Sequence, residues 1–102
     1  MDFSTRKLNE FLQSDMTVMV EFWGSWCPPC QRMKKVIDKL EKEYDGLIKI
    51  ASINIDRNPE VSSKYNISGV PTYIIFKNGE IIHRDVGAKS EEQLESMIKK
   101  MI

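Results

Sequence analysis

The sequence predicts an α/β protein built on a mixed sheet, and three observations carry the prediction. Segments with apolar residues at helical spacing alternate with apolar runs of strand length, in the order α, β, α, β, α, β, β, α. The last two strands are joined by Asn78-Gly79, the strongest short hairpin signal, so they run antiparallel, whereas the earlier ones follow a βαβ pattern. A Cys-x-x-Cys pair, Cys27 and Cys30, falls where the first strand gives way to a helix. With 102 residues, 41% hydrophobic and 29% charged, the chain is expected to form a single domain, residues 1–102, with a modest core.

Taken in order, Leu8, Phe11 and Leu12 make a short helical face, with Ser4 or Asp2 as cap and Ser14-Asp15 as exit. Residues 18–23 are an apolar, β-branched-rich strand ended by Gly24-Ser25. Met33, Val36, Ile37 and Leu40 recur at i, i+3, i+4 and i+7, one face of an amphipathic helix that Asp45-Gly46 stops. Residues 47–56 form an isoleucine-rich strand whose apolar phase changes between Ile50 and Ile53, which implies burial on both faces or a bulge. Asn58-Pro59 starts a helix, with asparagine as cap and proline at the first helical position, and Asn66 suits a left-handed exit. Residues 72–77 and 80–85 flank the hairpin turn. Ser90 with Gln93 reads as a capping box for a last helix that presents Leu94, Met97, Ile98 and Met101, with Lys99 and Lys100 in its final turn.

The chemistry is concentrated in Trp26-Cys27-Pro28-Pro29-Cys30. Cys27 comes first, so its sulfur lies by the positive end of the following helix, where unpaired N–H groups favour a thiolate. Cys30 lies about one turn further in, within bonding reach and more buried. Such a pair closes a disulfide and reopens it: one sulfur attacks, and the other resolves the mixed disulfide that results. Two competing readings are weaker. A closed zinc site needs four ligands, and two cysteines with one distant histidine, His83, would need a second copy of the chain, so no metal is expected. A permanent structural cross-link gains little from so small a loop.

Fifteen basic residues balance fifteen acidic ones, which argues against nucleic acid or an anionic membrane as partner. The residues from Met1 to Lys7 lack the apolar stretch of a secretory signal, and no run approaches membrane-spanning length, so a cytoplasmic location is expected. In a reducing compartment a single Cys-x-x-Cys points to redox catalysis rather than cross-linking. His83 reads as exposed on the hairpin strand. Lys34-Lys35 and Lys99-Lys100 read as solvated helix faces, the first pair near enough to Cys27 to favour its thiolate slightly.

Together these motifs resemble the thioredoxin family over nearly the whole chain. The matching stretches are Val20-Glu21-Phe22-Trp23 before Trp26-Cys27-Pro28-Pro29-Cys30, then Asn54-Ile55-Asp56 with Asn58-Pro59, Gly69-Val70-Pro71-Thr72, Phe76-Lys77-Asn78-Gly79-Glu80 and Val86-Gly87-Ala88. The resemblance implies the thioredoxin fold, a central mixed sheet of about four strands flanked by helices on both faces. It also implies a thiol–disulfide oxidoreductase in which a surface Cys27 attacks disulfides of client proteins and a partly buried Cys30 resolves them. It further implies that no cofactor is bound and that a thioredoxin reductase is expected to supply reducing equivalents. Pro71 would be the family's cis-proline against the redox pair, and the backbone of Val70 would receive an extended client segment as an added strand. Gly69, Gly87 and Ala88 keep the surrounding surface flat enough for that approach. Trp26, Pro28 and Pro29 belong to the same client surface, whereas Trp23 packs in the core. A monomer is the expected state, with an edge-strand dimer left open.

Glu21 matches the position where the family usually carries a buried aspartate beneath the redox pair. A buried carboxyl has a raised pKa and can move a proton at neutral pH, here by helping Cys30 to deprotonate. The bland reading is a glutamate that reaches solvent at a strand end. Three departures from the family are visible: Ser52 replaces the usual lysine partner, Pro28 replaces a glycine, and Lys35 replaces a helix-kinking proline. Pro28 stiffens the loop and removes one backbone donor near Cys27, and without the proline at 35 the helix should run straighter. The N-terminus looks too short for the family's first strand, which would leave residues 47–56 at a sheet edge. The Pro-Pro dipeptide leaves open a disulfide oxidant or isomerase, and a redox-idle thioredoxin-like binding module is the reading from another class.

Overall fold

The computed structural model describes residues 2–102, with Asp2 described in its backbone alone. The elements are β1 (Asp2–Phe3), α1 (Thr5–Phe11), β2 (Val18–Trp23), α2 (Pro28–Glu43), β3 (Lys49–Asn54), α3 (Pro59–Lys64), β4 (Thr72–Lys77), β5 (Glu80–Val86) and α4 (Glu91–Met101). They form one sheet in the order β1-β3-β2-β4-β5; β1, β3 and β2 are parallel, and β4 and β5 join antiparallel. The expected strands are present, and β1 adds a short fifth. Its Asp2 and Phe3 pair with Ser52 and Ile53, so β3 is not an edge at those positions. Two residues carry no period to read, which is why the strand was not legible.

Alternation along the strands sorts the core into two layers. Leu8, Leu12, Val18, Val20, Phe22, Ala51, Ile53, Val61, Ile74 and Phe76 pack together on the side of α1 and α3. Met19, Met33, Ile37, Leu40, Ile50, Tyr73, Ile75, Leu94 and Ile98 pack on the side of α2 and α4. The phase change in β3 is therefore burial on both faces: Ile50 serves one layer and Ile53 the other, in unbroken register with β2.

Local signals mostly hold. Ser4 caps α1 by accepting from the Lys7 amide, while the alternative cap, the Asp2 side chain, lies outside the described residues. Gly46 and Asn66 take positive φ at the exits of α2 and α3, and so do Asn78 and Gly79 in the hairpin. Two readings are corrected. Asn58 precedes Pro59 at the start of α3 but makes no side-chain cap; its Oδ1 instead accepts from the Thr5 amide and hydroxyl, tying α3 to α1. His83 is half-buried, and Ile81 and Ile82 are the exposed pair. A one-residue shift in register between Ile75/His83 and Phe76/Ile81 leaves Ile82 as an extra residue, which breaks the alternation assumed for β5.

Candidate active site

The redox loop is built by the start of α2. Cys27 is the N-cap residue, and its Sγ accepts from the Cys30 amide at 3.2 Å. Pro28 and Pro29 fill the first two helical positions, where a missing N–H disturbs no helical hydrogen bond. An N-cap acceptor is normally met by the second or third helical amide. The donor that proline denies Cys27 is thus the one at position 29, and Pro28 removes nothing the cap would use, contrary to the expectation from sequence. The first turn carries no acidic residue, whereas α4 opens with a complete Ser90–Gln93 capping box plus Glu91 and Glu92. The positive end of α2 is left for a sulfur anion.

Cys27 and Cys30 are joined as a disulfide, with Cα atoms 5.2 Å apart. They pack with Trp23 and Val70. Cys27 is 3% exposed and Cys30 1%, so Cys27, expected at the surface, is enclosed in this bonded state by its own loop and those neighbours.

Around the pair stand the other residues singled out from sequence. Trp26 is 66% exposed, and its Nε1 donates to Asp56 Oδ1 at 3.1 Å. The Ser25 amide donates to the other Asp56 oxygen at 2.8 Å, and Asn54 anchors both ends through the Asp56 amide and the Ser25 hydroxyl. Gly24 lies beneath the indole; a Cβ there would stand 3.0 Å from Trp26 Cε2. Sequence reasoning quoted Asn54-Ile55-Asp56 but assigned it no role. Across the site the Val70–Pro71 peptide is cis, and the Gly87 amide donates to the Pro71 carbonyl at 2.8 Å, which joins the loop of Gly87 and Ala88 to that of Gly69 and Val70. Pro28 and Ala88 are exposed, Pro29, Gly69, Val70 and Gly87 half-buried, and Pro71 buried.

Glu21 is 1% exposed, which removes the solvent-reaching alternative. Register aligns Ser52, Glu21 and Tyr73 across β3, β2 and β4. The Ser52 hydroxyl donates to Oε1 and the Tyr73 hydroxyl to Oε2, both at 3.2 Å. Burial, reinforced by the charge and hydrogen bond of Glu21, holds the Tyr73 phenol far above the usual tyrosine range. Alternation puts Glu21 on the α2 side of β2, between Met19 of that core layer and Trp23 of the redox cluster. Tyr73 was missed from sequence, because only strand register brings it to Glu21.

This arrangement suits the exchange of a disulfide at a helix N-terminus, with a buried carboxyl on the same side of the sheet. The Thioredoxin family model matches residues 2–100. The chain belongs to the thioredoxin family. It is 41% identical to a thioredoxin of Rickettsia conorii over 102 residues, covering 100% of this chain and 95% of the relative. It is 41% identical to thioredoxin 1 of a Nostoc species over 91 residues, 89% of this chain and 85% of the relative. A thioredoxin of Porphyra purpurea is 40% identical over 93 residues, 91% and 87%. As a thioredoxin-family protein with a bonded cysteine pair, the chain is a thiol–disulfide oxidoreductase and a protein-disulfide reductase. Its partner classes are disulfide-containing substrates and reductases. No helix among the described residues is long and apolar enough to cross a membrane.

Proposed function

We propose that the chain, acting as a single thioredoxin unit, reduces client proteins with Cys27 as the attacking sulfur and Cys30 as the resolving one. The observation that supports this order is the placement of Cys27 Sγ at the N-cap of α2, accepting the Cys30 amide. In the reduced protein the Cys27 thiolate attacks a client sulfur, forms a mixed disulfide and expels the other client sulfur, which takes a proton from water. Cys30 then gives its proton to the Glu21 carboxylate and attacks Cys27 Sγ, and the second client sulfur leaves as a thiolate that takes its proton from water. The protein ends oxidised, as in the bonded state described above. Two electrons from a reductase, without a bound cofactor or metal, reopen the disulfide to the Cys27 thiolate and the Cys30 thiol, the proton on Cys30 coming back from Glu21.

Client contact falls to Trp26, Pro28 and Pro29 on one side and Gly69, Val70, Pro71, Gly87 and Ala88 on the other. With Cys27 enclosed, the client lays its chain along Val70 and brings its disulfide to the sulfur edge-on. A reducing, cytoplasmic setting belongs to the same reading, because a reductase must keep the pair open there.

Cys30→Ser should accumulate a mixed disulfide between Cys27 and a client peptide, and Cys27→Ser should trap nothing. Trapping by Cys27→Ser instead would reverse the assignment, and turnover surviving loss of Cys27 would remove it. The reduction potential decides direction: a value near or below about −270 mV fits a reductant, and one above about −200 mV would make the protein an oxidant or isomerase.

A further inference from the structure

We propose that the cleft beside Trp23, between the start of α2 and the segment after β3, is a subsite for an aspartate or glutamate side chain of a client, placed near the client's disulfide. The proposal rests on the client-reduction reading above and adds a charge preference to it. The cleft encloses about 470 Å³; Trp23, Ser25, Gln31, Lys34, Asn54 and Arg57 are among its walls, and no acidic residue lines it among the described residues. The two charges that the described residues bring to it, Lys34 and Arg57, are both positive, in a chain whose formal net charge is zero.

Three features make it part of the redox site rather than a stray basic surface. Trp23 packs against Cys27 and Cys30, and the Lys34 ammonium lies 4.6 Å from the centre of the same indole, so one ring links the cation to the sulfurs. Gln31 follows Cys30 directly. The nearby Asp56 does not occupy the cleft, because its two oxygens accept from the Ser25 amide and the Trp26 indole. A carboxylate entering there would meet the Arg57 guanidinium, which suits two parallel hydrogen bonds, and the Lys34 ammonium, with Ser25, Gln31 and Asn54 as neutral partners. The occupant is a side chain of the client because the client must come to this spot to react, and a contact made in the same encounter speeds association.

The test uses two disulfide-linked peptides that differ only in carrying glutamate or glutamine beside the cysteines. The readout is the ratio of their second-order reduction rates, in which any change in Cys27 reactivity cancels. At low ionic strength the glutamate peptide should react about fivefold faster, and the advantage should vanish at about 1 M salt. In Lys34→Gln/Arg57→Gln the ratio should fall below about twofold, while Lys35→Gln/Lys99→Gln, which removes the same net charge elsewhere, keeps it. A wild-type ratio near one, a ratio retained without Lys34 and Arg57, or an equal fall in the control variant overturns the subsite. Failure to reduce the glutamine peptide at all would overturn the client-reduction reading instead.

Discussion

Two rows of residues, one step apart along the sheet, are equally buried and chemically opposite. Ala51, Val20 and Ile74 pair across β3, β2 and β4, are 0% exposed, and face α1 and α3. Ser52, Glu21 and Tyr73 pair across the same strands, are 7%, 1% and 0% exposed, and lie on the face of α2 and α4. The first row gives its neighbours apolar contact alone, and each of its side chains stabilises the fold in proportion to the surface it hides. The second buries a carboxyl, whose desolvation is expensive, and answers it with two hydroxyls. Depth in the core therefore does not separate structure from chemistry here. The face does, and the chemical face is the one that carries the cysteine pair.

The largest effect should come from the apolar row. Ile74→Ala should lower the unfolding free energy in urea by about 2–5 kcal/mol, since the packed layer cannot collapse onto the missing atoms. The folded fraction should still reduce a peptide disulfide within about twofold of the parent rate. A loss of rate beyond what unfolding explains would mean that the two faces are not independent.

Glu21→Gln should do the reverse. The shape and an acceptor oxygen survive, so stability should change by less than about 1 kcal/mol. On the proposed path, release of a client from the mixed disulfide at neutral pH should slow by about 100-fold, because Cys30 would lose the group that takes its proton. A rate within about twofold of the parent would leave Glu21 a buried polar residue without a part in resolution.

The contrast between rows also explains what was legible in the sequence. The redox loop, the apolar helix faces, the Asn78-Gly79 turn and the Ser90–Gln93 box are set by residues within a few positions of one another, and each appears in the structure where its pattern placed it. Glu21 stood out because a charged residue interrupts an apolar strand. Its partner Tyr73 did not, since a tyrosine in a strand reads as core and nothing local reports which residue lies opposite. The same limit applies to Asn58, which bonds Thr5 of a distant helix instead of its own, and to Asp56, which reaches back to Ser25 and Trp26. The enclosure of Cys27 is a property of the packed loops, and the motif alone suggested a surface sulfur.

Tyr73→Phe gives the smallest and most specific break of the polar row. At neutral pH the loss of one donor to Glu21 Oε2 should cost about 1 kcal/mol of stability and leave Ser52 as its remaining hydroxyl partner in the row. At high pH the sign should turn. An unfolded tyrosine loses its proton near pH 10, whereas the folded Tyr73 phenol is held far above that by burial, then by the charge and hydrogen bond of Glu21. The folded state then binds a proton that the unfolded state has released, so the stability Tyr73 contributes is complete below about pH 10 and is lost as pH rises beyond it. The parent should lose about 1.4 kcal/mol per pH unit relative to Tyr73→Phe above that point. Urea unfolding of both proteins at pH 8 and pH 11 measures the difference directly. Parallel pH dependences would show that the phenol ionises freely in the fold, and the polar row would then reduce to Glu21 and Ser52.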